Sequence, residues 1–234
     1  MLPEIFIDTS KVDEIVTWSK KLPISGVTTN QAIMTKEGVP PSEVEQVIKQ
    51  ICCVLPHKPI SVELLDSERL TEELIEEAKY FASFSSDIVV KVPTIGDGQH
   101  LEIIRKLREE NIKVNSTLNV TAEQLMVAAF AGANYVSLFF NRAKDAGEDP
   151  VDHIERMANL IAKRNFDTRI IVGSIRGPVD VTEAIAAGSD IVTIPPKILK
   201  ALVFHPKSEE IRREFDEQGR KFLEIVRRIE ENEP

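Results

Sequence analysis

Eight short apolar runs recur along the chain, and each is followed by a longer stretch whose apolar residues return at helical spacing. The runs are Glu4–Ile7, Gly26–Thr28, Ile60–Glu63, Ile88–Val92, Lys113–Thr117, Tyr135–Phe139, Arg169–Gly173 and Asp190–Ile194. Short continuous apolar runs suit strands buried on both faces, and each parallel strand needs a crossover long enough to hold a helix. Eight such units predict an α/β fold, a single (β/α)8 TIM barrel; an open doubly wound sheet, usually with fewer strands, is the competing arrangement. The 234 residues fit that size, since such barrels run to about 250 residues in one domain. Residues 1–234 are therefore expected to form one barrel domain.

The turn residues carry the same repeat. Gly132 in Ala131-Gly132-Ala133 and Gly188 in Ala187-Gly188-Ser189 stand where a helix ends just before a strand, the place where glycine relieves a left-handed backbone. Thr71 with Glu73 and Glu76, and Thr121 with Glu123, read as helix starts with acid near the positive end of the dipole. Past the eighth crossover, Ile211, Phe215, Phe222, Ile225 and Ile229 recur at near-helical spacing in a charged segment. That pattern predicts an additional C-terminal helix over 208–232, placed to cover a neighbouring subunit or to fold back over the barrel.

Side-chain alternation along the strands sorts the polar residues. With Lys91 pointing into the barrel, Val89 does so too and Val90 faces the helices. The same parity places Asp8, Asn30, Glu63, Asn115 with Thr117, Ser137 with Phe139, and Ser174 at the inward C-terminal ends of their strands. Barrels fill their lower interior with apolar layers and carry chemistry at this end. Lys91 is the most informative of the set, because an apolar strand delivers one amine just before its end. Burial disfavours a charged amine, and an uncharged amine adds to a ketone to give an imine.

Composition narrows the partners. A formal net charge of −9 argues against general binding to nucleic acid or anionic membranes, so any phosphate site must be local. No stretch of about 20 apolar residues and no basic-plus-apolar leader is present, and a soluble cytoplasmic protein is expected. Cys52 and Cys53 are adjacent in an apolar helical run and read as buried free thiols. His57, His100, His153 and His205 are dispersed without a ligand spacing; no metal and no cofactor are expected.

The inward residues also lie in a shared order of motifs. Ile24-Ser25-Gly26-Val27-Thr28-Thr29-Asn30, Val89-Val90-Lys91-Val92-Pro93, Asn115-Ser116-Thr117-Leu118, Phe139-Phe140-Asn141-Arg142 and Gly173-Ser174-Ile175-Arg176 resemble the successive motifs of the transaldolase family, particularly its small members related to fructose-6-phosphate aldolase. The resemblance spans at least Ile5 to Pro195. It implies transfer of a dihydroxyacetone unit from a ketose phosphate, sedoheptulose 7-phosphate or fructose 6-phosphate, to an aldose phosphate in the pentose phosphate pathway. By resemblance Lys91 forms the Schiff base, Asp8 exchanges the proton of the C4 hydroxyl, and Glu63 and Thr117 hold a water that shuttles protons. Asn30 then orients Lys91 and bound hydroxyls, Thr28 also binds substrate, Asn115 and Ser137 grip the dihydroxyacetone part, and Arg142, Ser174 and Arg176 bind phosphate. Glu63 and Phe139 match the transferase form; members using free dihydroxyacetone tend to have glutamine and tyrosine there. A homo-oligomer is implied, with pentamer and decamer as candidate states. Gln31 and Leu138 stand where the family usually has proline, which predicts a small shift of a rim loop.

The alternative activity is simple aldol cleavage, and the alternative from another class is a non-catalytic phosphosugar-binding barrel. Competing structural roles stay open for single residues: Asp8 as cap of the following helix, Glu63 as an ion-pair partner of Lys91, Phe139 as packing, and Arg142 and Arg176 as salt-bridge partners of nearby carboxylates.

Overall fold

The computed structural model describes residues 2–230. Eight parallel strands close into a barrel in chain order: β1 (Glu4–Asp8), β2 (Ile24–Thr28), β3 (Ile60–Glu63), β4 (Ile88–Pro93), β5 (Lys113–Asn119), β6 (Tyr135–Phe139), β7 (Arg169–Gly173) and β8 (Ile191–Ile194). β8 pairs back onto β1 from Glu4↔Ile191 to Ile7↔Ile194, which leaves no edge. This is the (β/α)8 barrel that the apolar runs predict.

The crossovers are α1 (Val12–Ser19), α2 (Gln31–Glu37) with α3 (Val44–Val54), α4 (Thr71–Ala82), α5 (Gln99–Glu109), α6 (Ala122–Phe130), α7 (Phe140–Asp145) with α8 (Pro150–Arg164), and α9 (Pro178–Ala186). Two crossovers thus hold an extra short helix, α2 after β2 and α7 after β6, each immediately past the C-terminal end of its strand. Gly132 and Gly188 take left-handed backbone at φ 99° and 100°, as the turn pattern requires. Thr121 caps α6 in a reciprocal pair with Gln124, whereas Thr71 is already inside α4 and Leu70 precedes it without a side-chain cap.

The lower interior is apolar. Phe6 packs with Ile171 and Ile191, all buried, and Tyr135 closes the cluster. Gly26 on the adjoining strand makes room for the Phe6 ring, because a Cβ there would lie 2.6 Å from Cζ. The next inward residues on β1, β2 and β8 are Asp8, Thr28 and Thr193, so the change from apolar floor to polar site occurs within one step of the pleat.

The two cysteines correct their reading. Helical phase turns Ile48 and Ile51 of α3 inward, leaving Cys52 half-buried and Cys53 exposed. The apolar run was real, but its buried stripe passes beside the thiols.

The chain divides into two compact units, the first ending at Ile198 and the second beginning at Leu199. α10 (Pro196–Val203) crosses that boundary, and α11 (Pro206–Glu230) makes up most of the second unit. α11 begins two residues earlier than the sequence pattern suggests, and its charged face carries the i,i+4 pairs Arg212–Asp216 and Lys221–Glu217. Residues 231 and 232 of the expected helix, and the side chain of Ile229, lie outside the described residues. Among the described residues no helix is long and apolar enough to cross a membrane.

Candidate active site

A cavity of about 250 Å³ opens at the C-terminal end of the barrel, lined by residues of β1, β2, β4, β5, β6 and β8 and of the loops and short helices α2 and α7 that follow. Lys91 reaches it from β4 and is only 3% exposed. Its Nζ donates to the Thr29 carbonyl at 3.0 Å and lies 2.7 Å from Glu63 Oε2. The second contact is close but poorly directed, and Glu63 Oε2 makes no hydrogen bond of good geometry. It is an ion pair between two nearly buried groups.

Strand register explains why these groups meet. Glu63, Lys91 and Asn115 are paired neighbours on β3, β4 and β5 and form one row across the barrel wall. Behind the cavity, Ser137 donates to Asn115 Oδ1 at 2.7 Å, and Asn115 Nδ2 reaches Ser61 Oγ at 3.4 Å. Asn115 therefore holds Ser137, which lines the cavity, and is itself set one layer back. Thr117 lines the cavity, and its buried hydroxyl has hydrogen-bonding capacity that no protein group uses.

Asp8 lies across the site at the end of β1. Burial pushes its carboxyl above the ordinary value; a hydrogen bond from Thr28 and the Lys91 charge counter that, while Glu37 and Glu63 reinforce it. Thr28 Oγ1 donates to Asp8 Oδ1 at 2.6 Å and lies 2.5 Å from Thr193 Oγ1. Asp8 does not cap the next helix. The Thr9-Ser10 turn is instead tied to Glu37, which accepts from Thr9 Oγ1, Ser10 N and Ser10 Oγ at 2.7, 2.7 and 2.6 Å.

Asn30 caps α2, accepting from Ile33 N at 2.8 Å through Oδ1, and also lines the cavity. The amine next to it is fixed by the Thr29 carbonyl, a backbone partner that residue types alone do not reveal. Gln31 takes up the role of a rigid residue at the start of α2 by a tether: its Nε2 donates to the Leu64 carbonyl at 2.5 Å. Leu138 is fully buried and pairs with Val172 on the strand side, away from the cavity lining.

Phe139, Arg142 and Ser174 complete the lining. Ser174 sits in left-handed backbone, φ 58°, and the loop that follows is stapled to α7. Asn141 Nδ2 donates to the Ser174 carbonyl at 2.9 Å and to Asp180 Oδ2 at 2.7 Å, and Asp180 also accepts from the backbone N–H groups of Arg176 and Gly177 at 2.9 Å each. Arg176 is not in the lining: its guanidinium is exposed and engages the Asp145 carboxylate through both terminal nitrogens. Thus the structure gathers Lys91, Asp8, Thr28, Asn30, Thr117, Ser137, Phe139, Arg142 and Ser174 around one cavity, with Glu63 in contact and Asn115 behind, and turns Arg176 outward. It adds Thr193 and Lys36. Thr193 is legible as the one polar residue in a four-residue apolar strand; Lys36 has no signal beyond its place on a short helix. With Lys91 paired to Glu63, the lining sets Lys36 and Arg142 against Asp8, so among the described residues it keeps a net positive charge that favours an anion in an acidic chain.

The site thus lies at the C-terminal end of a closed (β/α)8 barrel, with a buried lysine and two carboxylates. The family model described as Transaldolase/Fructose-6-phosphate aldolase matches residues 5–233, and the chain belongs to that family. It is 36% identical over 205 residues to a protein of Dehalococcoides mccartyi named "Probable transaldolase", covering 88% of this chain and 92% of that one. A protein of the same name from Thermoplasma acidophilum is 36% identical over 218 residues, covering 93% and 96%. Among solved structures, a flavocytochrome b2 variant with sulfite bound superposes with a TM-score of 0.56 at 13% identity. That match covers 83% of this chain and 57% of the other, and it shows the fold alone.

Proposed function

We propose that the chain is a transaldolase, moving a dihydroxyacetone unit from a ketose phosphate to an aldose phosphate through an imine on Lys91. The observation that carries this reading is the Lys91 amine, buried beside Glu63 and opening into a cavity that Asp8 also lines.

The chemistry follows from the roles those groups can take. Once its ammonium proton passes to Glu63, Lys91 Nζ attacks the C2 carbonyl to form a carbinolamine, and return of a proton to the carbinolamine hydroxyl releases water and leaves the iminium. Glu63 is the carboxylate in contact with the amine, and the unused hydrogen-bonding capacity of Thr117 Oγ1 suits a proton-carrying water. The iminium then accepts the electron pair of the C3–C4 bond as Asp8 removes the proton from the C4 hydroxyl, leaving an enamine on Lys91 and releasing the aldehyde. A base whose carboxyl is raised by burial is better matched to that proton than an ordinary surface aspartate. Addition of a second aldehyde reverses these steps, and hydrolysis frees the lysine. Ser137 and Asn30 supply polar contacts for the donor, and Arg142 with Ser174 supplies the phosphate grip. Phe139, lacking a hydroxyl, adds no group to activate water against the enamine, which favours transfer over simple cleavage.

Incubation with fructose 6-phosphate and borohydride is expected to fix an adduct on Lys91, found by peptide mapping and absent from Lys91→Met. Adding erythrose 4-phosphate is expected to give sedoheptulose 7-phosphate with little free dihydroxyacetone. An unmodified Lys91 in folded, sugar-binding protein would refute the imine, and rapid cleavage without acceptor would assign an aldolase instead.

A further inference from the structure

We propose that Thr193 is a positioning residue for the proton transfer at Asp8: its hydroxyl donates to Thr28 and thereby commits the Thr28 proton to the Asp8 carboxylate. The inference rests on the reading of Asp8 as the base of carbon–carbon cleavage.

Three polar groups on three consecutive strands form the chain. Thr28 Oγ1 lies 2.6 Å from Asp8 Oδ1 and 2.5 Å from Thr193 Oγ1. A threonine hydroxyl has one proton and two lone pairs. The ionised carboxylate accepts only, so the Thr28 proton points to Asp8, and the short contact with Thr193 is then satisfied only if Thr193 donates. A hydroxyl that receives one hydrogen bond is a stronger donor in the next. Thr193 therefore strengthens the bond that holds Asp8 as an anion without touching Asp8 itself.

The surroundings keep this arrangement in one orientation. Thr193 is 5% exposed, and its Cγ2 packs over Gly173 of β7, where an added Cβ would come within 3.3 Å. Asp8 and Thr28 are register partners on β1 and β2. The other charged groups acting on Asp8 are Lys91 from β4, which favours the anion, and Glu63 from β3 and Glu37 from α2, which oppose it. Thr193 adds to the side of Lys91 without bringing a charge of its own.

The sign of the effect is fixed. Cleavage needs the Asp8 anion, so activity falls as pH drops through its titration. Removing the Thr193 hydroxyl weakens the Thr28 bond and moves that fall to higher pH. The test compares wild type, Thr193→Val and Thr193→Ser, following the pH dependence of kcat/KM for fructose 6-phosphate cleavage or transfer. Valine is expected to shift the acidic limb upward and to cost roughly three- to tenfold on that limb, the scale of one net hydrogen bond. Serine is expected to restore the wild-type limb. Borohydride trapping on Lys91, measured on all three proteins, reports the imine step separately. A valine variant that is folded and active with an unmoved limb, or a serine variant that matches valine, would overturn the role of Thr193. A wild-type protein with no Lys91 adduct would overturn the function itself, and with it this inference.

Discussion

Substitution of Gly26 by alanine tests how the barrel floor supports the site above it. The added Cβ would lie 2.6, 2.7 and 2.7 Å from Cζ, Cε1 and Cε2 of Phe6, whereas carbon atoms in good contact sit about 3.5–4.0 Å apart. The ring must retreat by about 1 Å, and it cannot do so freely because Ile171 and Ile191 are buried against it. Overpacking of this kind costs about 1–3 kcal/mol. For a domain of this size each kcal/mol lowers Tm by about 2–4 °C, so a fall of roughly 2–12 °C is expected in thermal unfolding. Asp8 and Thr28 follow Phe6 and Gly26 on the same inward rows, and a misplacement of about 1 Å near reacting groups can cost 10²-fold. Turnover measured below the melting range should therefore fall as well. Adding Phe6→Leu to Gly26→Ala should recover part of both losses. A Gly26→Ala protein with wild-type Tm and turnover would show that the ring is not seated against this glycine.

Two carboxylates give opposite pH signatures. Burial raises Asp8, so between the ordinary carboxylate value and the raised native value the folded chain keeps a proton that the unfolded chain has lost, and stability falls as pH rises through that window. Asp8→Asn is expected to be inactive in cleavage yet more stable than wild type to urea at neutral pH, with the difference vanishing in strong acid; an Asn variant less stable at neutral pH would contradict this. For Asp180 burial also pushes upward, but hydrogen bonds from Asn141, Arg176 N and Gly177 N and the Lys144 charge bring it below the ordinary value. Its contribution is therefore present above the ordinary carboxylate range and lost as pH falls through the lowered value. Asp180→Ala, which orphans these donors, should lose about 1–3 kcal/mol at neutral pH, and the gap from wild type should close in acid; a pH-independent gap would mean that packing, not charge, is responsible.

Much of the barrel was readable because fully buried parallel strands leave continuous apolar runs, and β4, buried along its whole length, is the clearest case. The short helices α2 and α7 left no such trace. α2 buries Met34 alone, too little to make a repeating stripe, and α7 has only six residues. Strand parity brought out Lys91, Asp8, Glu63, Thr117 and Ser137, since a polar residue at an inward strand end has few places to go. Arg176 escaped the same logic because it lies past the strand, where its direction is set by Asp145, a residue 31 positions earlier in the chain. The Thr29 carbonyl that holds the amine escaped it too, since every residue type offers a carbonyl.

The shared row of Glu63, Lys91 and Asn115 limits how descendants of this chain can change in length. Gain or loss of one residue within β4 would rotate the nucleophile to the outer wall and leave Glu63 facing an aliphatic side chain. The same event in the loops between helices would leave the row intact. Length variation should therefore gather in the outer connections, while the segment from Ile88 to Pro93 keeps its count even where its residues drift.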